Sequence, residues 1–197
     1  MQNYIYVVLT KPNTIISRII QLIKKDEYTH AAVSLDKNLH HMYSFGRKYD
    51  LNPFHGSFKQ EDINKGIYRL YNTLPGIIIG VKVSEQQYEK AQSLINHFIS
   101  NSKLYKYNYK GLIYNMFNKS ACCQNRFLCS EFVNYILKEC GIDDIKLPGN
   151  LVRPQNLVKI EGDIIYKGNL KEPETENIKD FQTQKPKKLS PVLLKNY

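Results

Sequence analysis

The chain opens on a β-branched and aromatic run, Tyr4 to Leu9, is punctuated by Pro12 and Asn13, and then repeats apolar residues at Ile15, Ile16, Ile19, Ile20 and Ile23. That succession predicts a strand, a turn and an amphipathic helix. Ala31 to Leu35 and Leu39 to Phe45 flank the polar cluster Asp36-Lys37-Asn38 and predict a β-hairpin. The stretch from Gly46 to Gly66, with Pro53 and Gly56, reads as loop. Ile67 to Tyr71 and Ile77 to Val83 read as two further strands about a turn at Asn72 to Gly76. Ser84 with Gln87 three residues on forms a capping box opening a helix whose stripe is Tyr88, Ala91, Ile95, Phe98 and Ile99. After a Tyr- and Asn-rich link, Tyr105 to Tyr114, comes the clearest helix. Its stripe is Phe132, Val133, Ile136, Leu137 and Cys140, Cys129 extends the same spacing back to the first turn, and Gly141 ends it.

A chain of 197 residues with 42% hydrophobic content suffices for one domain with a core of its own. We expect that domain to span 1–168, and 169–197, rich in Lys, Glu, Pro and Thr with little periodicity, to form a polar, basic tail. The 28 basic against 18 acidic side chains give a formal charge of +10. This favours anionic partners, an anionic membrane surface among them, although an Asn-, Ile- and Tyr-rich composition accounts for part of the lysine excess. Nucleic acid is disfavoured as a partner, since no RNP-like aromatic stretch, helix-turn-helix or finger pattern is present. Neither a secretory leader nor an apolar run of membrane-spanning length is legible, so the expected location is cytoplasmic. There Cys122, Cys123, Cys129 and Cys140 are expected to be thiols. No cofactor is called for. A zinc site is disfavoured by the lack of a C-x-x-C pair and of histidines at ligand spacing.

A thiol on the first turn of a helix meets unpaired backbone N–H groups and the positive end of the helix dipole, both of which favour the thiolate. Nucleophilic catalysis by Cys129 also needs a base, and imidazole has the suitable range. His30, at the start of the strand Thr29-His30-Ala31-Ala32-Val33-Ser34, has small neighbours that let a helix end approach. A cysteine on an apolar helix face is more often an inert core residue, so position alone does not make the case.

Three segments together go further: Tyr28-Thr29-His30-Ala31-Ala32-Val33-Ser34-Leu35, Met42-Tyr43-Ser44-Phe45-Gly46-Arg47 and Leu128-Cys129-Ser130-Glu131-Phe132-Val133. In this order, with about 100 residues from His to Cys, they resemble the permuted papain-like cysteine hydrolases of the NlpC-type, YiiX-like group. The resemblance covers roughly residues 1–157, and Val152-Arg153-Pro154 looks like the closing strand region of bacterial members. It implies an α+β, circularly permuted papain-like fold, an antiparallel sheet packed against helices with the cysteine at a helix N-terminus. It also implies a peptidase, amidase or acyl-transfer activity on a peptide, an isopeptide or an acyl lipid.

Members of that group usually carry a third polar residue on the strand after the histidine strand, to orient the imidazole. If Asp36-Lys37-Asn38 is a three-residue turn, Ser44 lies opposite His30 on one sheet face. If the turn is Lys37-Asn38, His41 or Tyr43 shares that face instead. Ser44 is preferred, a hydroxyl where relatives carry a carboxylate. The oxyanion donors are expected from the Cys129 backbone, with Gln124 or Asn125 as a further donor. Arg47 is either an anion contact or a surface ion pair, and Tyr105, Tyr107, Tyr109 and Tyr114 either line a groove or pack. The leading expectation is a thiol hydrolase working through an acyl-cysteine, with Cys129, His30 and Ser44 as its catalytic set. The alternative is a weak or inactive binding module for an anionic lipid or other polyanion.

Overall fold

The computed structural model describes residues 2–47, 56–121, 123–142 and 145–171, and of Ile15, Ile16, Arg47 and Ile67 the backbone alone. Nearly all of the expected tail, and with it Pro53 and Cys122, therefore lies outside the described residues. The elements are β1 (Asn3–Thr10), α1 (Ile15–Lys24), β2 (His30–Ser34), β3 (Met42–Arg47), β4 (Gly56–Glu61), β5 (Pro75–Val83), α2 (Glu85–Ser100), β6 (Lys106–Tyr107), α3 (Tyr109–Met116), β7 (Arg126–Phe127), α4 (Cys129–Glu139), α5 (Pro154–Leu157) and β8 (Asp163–Asn169). The fold is mixed α+β. One curled eight-stranded sheet runs in the order β7-β6-β4-β3-β2-β1-β5-β8, antiparallel except for the short β6–β7 pair.

Strand alternation gives the sheet two faces. Ile5, Val7 and Leu9 of β1, Val33 of β2, Phe45 of β3 and Phe58 of β4 point to one side, where Ala91, Ile95 and Phe98 of α2 and Phe132, Val133, Ile136 and Leu137 of α4 close the main core. Its centre is a knot of rings. Phe45 to Phe132, Phe98 to Phe132 and Phe45 to Phe127 have centroids 5.4, 5.0 and 5.2 Å apart, in the tilted and edge-on arrangements that aromatic quadrupoles prefer. This knot fixes α4 against β3 and α2. The other face carries a smaller cluster, Tyr6, Val8, Ala32, Leu39 and Met42.

Most expected elements are present, including the Ser84–Gln87 capping box and Gly141, whose φ of +63° is the left-handed turn that stops α4. Four readings need correction. The supposed loop from Gly46 to Gly66 contains β4, whose sequence Gly-Ser-Phe-Lys-Gln-Glu has one large apolar side chain and hides its strand character. The segment read as a strand at Ile67 to Tyr71 is a 3-10 turn, Gly66–Leu70. The link Tyr105 to Tyr114 contains most of α3, capped by Asn108 Oδ1 accepting from the Gly111 N–H at 2.8 Å. The supposed closing strand at Val152-Arg153-Pro154 is instead the junction of a 3-10 turn with α5, and Arg153 there pairs with Asp26 at 2.8 Å.

The amphipathic helix α1 forms as expected but faces the wrong way. Its Ser17 is buried, bonding Thr29 Oγ1 at 2.5 Å, whereas Ile19, Leu22 and Ile23 are 42%, 83% and 48% exposed. Among the described residues no helix is long and apolar enough to cross a membrane.

Candidate active site

The site is built around the N-terminus of α4. Leu128 is its N-cap, and its backbone N–H donates to Glu131 Oε2 at 3.0 Å in a capping arrangement. The same carboxylate oxygen accepts from Asn108 Nδ2 at 3.3 Å, tying the helix start to the cap of α3. Ser130 Oγ donates to the Val152 carbonyl at 2.6 Å. The residues on both sides of Cys129 are thus fixed by hydrogen bonds, and the cysteine itself sits on the first turn, 6% exposed, where the helix N–H groups are free to point at a ligand.

A cleft opens at this helix end. Cys129, His30, Glu61, Lys59, Tyr68, Tyr107 and Tyr109 line it, with Ser17 of α1 and its N-cap Thr14 along one wall. His30, at the start of β2, therefore reaches the same cavity as Cys129, as the sequence suggests. Imidazole Nε2 stands 2.9 Å from Glu61 Oε2. That leaves Nδ1 as the ring nitrogen to meet the thiol.

The pairing sets the electrostatics. Burial works against a charged imidazole, but the Glu61 carboxylate and hydrogen bonding and charge from Cys129 outweigh it and push the His30 pKa up to about 10. For Glu61, whose side chain is 2% exposed, burial alone would raise the pKa; the charges of His30 and Lys59 and their hydrogen bonds draw it down to about 2. Lys59 Nζ lies 3.2 Å from Glu61 Oε1, and Tyr68 OH donates to Glu61 Oε2 at 3.2 Å. Both carboxylate oxygens thus have partners, which is what a buried carboxylate requires. Gly46 lies directly beneath. A Cβ at this position would stand 3.2 Å from Lys59 Cε, 3.5 Å from Glu61 Oε1 and 3.7 Å from His30 Cε1.

Ser44 is on the expected side of the sheet and near His30, but it does not supply the main partner of the ring. Pairing of Val33 with Tyr43 and Ser34 with Met42 shifts the hairpin by two residues from the three-residue-turn register, which preserves parity and puts Ser44 opposite Ala32. The Ser44 hydroxyl donates to the Ala31 carbonyl at 2.7 Å and lies 3.4 Å from His30 Nε2, a secondary contact beside the Glu61 bond. His41 is on the exposed β2–β3 connection next to Asp36, away from the cleft. Of the four tyrosines, Tyr107 and Tyr109 line the cleft, Tyr105 packs at a tilt on Phe98 with centroids 4.3 Å apart, and Tyr114 lies under Lys110. Gln124 and Asn125 sit on an exposed turn and do not line the cavity. The Arg47 side chain lies outside the described residues.

Glu61 is the residue that sequence reasoning missed. It sits in the segment read as loop, and the available signal was Phe58 flanked by alternating polar residues, Ser57, Lys59 and Glu61, an alternation only one apolar residue deep. In comparisons with known proteins, no family model, curated protein or solved structure matches the chain.

Proposed function

We propose that the protein is a cysteine hydrolase of permuted papain-like architecture that cleaves an ester or amide through an acyl-cysteine. The observation carrying this reading is the convergence of Cys129, His30 and Glu61 in one cleft, with the cysteine on a helix N-terminus and the imidazole bonded to a buried carboxylate. The reacting pair is the Cys129 thiolate and the His30 imidazolium, in which the thiol's proton rests on Nδ1 and Glu61 stabilises the charged ring through Nε2–H. The thiolate attacks the substrate carbonyl carbon, and the π pair moves onto oxygen, opposite the free N–H groups at the start of α4. As the tetrahedral intermediate collapses, the bond to the leaving alcohol or amine breaks and the leaving group takes the His30 proton. Water, deprotonated by His30, then attacks the thioester, returning the acid and free Cys129. An acceptor alcohol or amine in place of water makes the same step an acyl transfer.

Glu61 weighs against the alternative of a retired binding module. That alternative rests on a serine standing where a carboxylate is expected, and Glu61 supplies the carboxylate. The thiols of Cys123, Cys129 and Cys140 are free, which suits a reducing compartment and a cytoplasmic location. The test is to trap the intermediate with an activated acyl ester and locate the adduct by mass spectrometry. The acyl group is expected on Cys129 and absent from Cys129→Ala protein. An adduct on Cys123 instead, or none, overturns the reading.

A further inference from the structure

The outward-facing stripe of α1 has a neighbour. Lys24 Nζ bonds Asn118 Oδ1 at 2.6 Å, tying the C-terminal end of α1 to the chain just past α3, where Ile113 and Phe117 are 57% and 69% exposed. Ile19, Leu22 and Ile23 on one helix and Ile113 and Phe117 on the other thus form two adjoining apolar ridges open to solvent. Clusters of this kind mark interaction surfaces, whereas single exposed apolar residues do not.

Charge selects the partner. Arg18 and Lys25 flank the first ridge and Lys110 and Lys119 the second, all exposed. No acidic residue occurs from Lys11 to Lys25 or from Lys103 to Ser130. A second copy of this surface would set those cations against each other, and a neutral apolar partner would leave them unused. An apolar face rimmed by Lys and Arg fits the interface of an anionic bilayer.

The inner side of the same helices serves the candidate site. Ile20 of α1 lines the cleft at His30 and also a second cavity that Cys129 borders and that Leu112 and Met116 of α3 line too. We propose that the α1/α3 surface docks on anionic phospholipid membranes and that the substrate is a membrane-borne acyl lipid, its chain reaching Cys129 past Ile20, Leu112 and Met116. The substrate part rests on the hydrolase reading above. The docking part does not.

The experiment is co-sedimentation of the full chain with vesicles of phosphatidylcholine containing phosphatidylserine, against vesicles of phosphatidylcholine alone. The protein is expected to sediment with the anionic vesicles and to be released by raised salt. The double variant Leu22→Ser with Phe117→Ser, at positions exposed enough to leave the fold intact, is expected to bind roughly tenfold more weakly or worse. Circular dichroism checks its fold. Failure of the wild-type chain to sediment, equal binding to neutral vesicles, or unchanged binding by the double variant overturns the docking. So does a wild-type dimer that the double variant dissolves, since a second copy would then occupy the surface. Cys129→Ala protein should bind vesicles as well as the wild type, so docking is read independently of chemistry. Acyl-adduct formation on a soluble ester by the double variant reads the chemistry independently of docking.

Discussion

Glu61 Oε2 lies 2.9 Å from His30 Nε2 across 31 residues of chain, joining the end of β4 to the start of β2 in the buried wall of the cleft. The carboxylate holds one tautomer of the ring and stabilises its charged form. In Glu61→Gln protein the amide keeps the shape but lacks the charge, so turnover on an activated ester should fall by roughly a hundredfold or more with the fold retained. Unchanged turnover in that variant would remove Glu61 from the mechanism.

Ser44 gives a contrasting expectation. Its hydroxyl proton goes to the Ala31 carbonyl, and its contact with the ring is 3.4 Å. Ser44→Ala should therefore lower stability by about 1 kcal/mol through the lost buried hydrogen bond. Turnover should stay within a few fold of wild type, read on the same ester. A loss matching that of Glu61→Gln would restore Ser44 as the orienting residue.

How far the sequence was legible follows from these two positions. Helical periodicity placed Cys129 on the first turn of α4 because its apolar stripe is long and its stop, Gly141, is unambiguous. Parity placed Ser44 beside His30 even though the hairpin register differs by two residues. Glu61 was illegible because β4 owes its place to pairing with β3 and to one buried apolar side chain, Phe58, and not to its own strand propensity. The orientation of α1 was illegible for another reason. Periodicity shows that a helix has an apolar side, but not whether that side meets the core, and here Ser17 and Thr14 turn toward the cleft instead.

The ion pair makes stability pH-dependent in both directions. His30 binds its proton more tightly in the folded state, its pKa rising from 6.5 to about 10, so its contribution is complete below pH 6.5 and is lost as pH climbs toward 10. Glu61 is shifted down from 4.5 to about 2, so its contribution is complete above pH 4.5 and is lost as pH falls toward 2. The urea midpoint should thus be highest between pH 4.5 and 6.5 as far as this pair is concerned, and its alkaline decline should flatten in Glu61→Gln. A decline of equal slope in that variant would assign it to other groups.

The helix start should matter apart from the reacting groups. Glu131, in the same first turn as Cys129, caps Leu128 and bonds Asn108 at the start of α3. Glu131→Ala should cost about 1 kcal/mol or more in chemical denaturation and reduce turnover, because Cys129 loses its fixed entry angle. Glu131→Gln, which can still accept the Leu128 N–H, should recover most of both.

The most direct test of the account is the rate of alkylation of Cys129 by iodoacetamide at neutral pH, resolved by peptide mass spectrometry. A thiolate paired with the His30 imidazolium should react there, and His30→Ala should slow Cys129 by roughly tenfold or more while leaving Cys123 unaffected. Equal rates at Cys129 in the wild-type and His30→Ala chains would contradict the account.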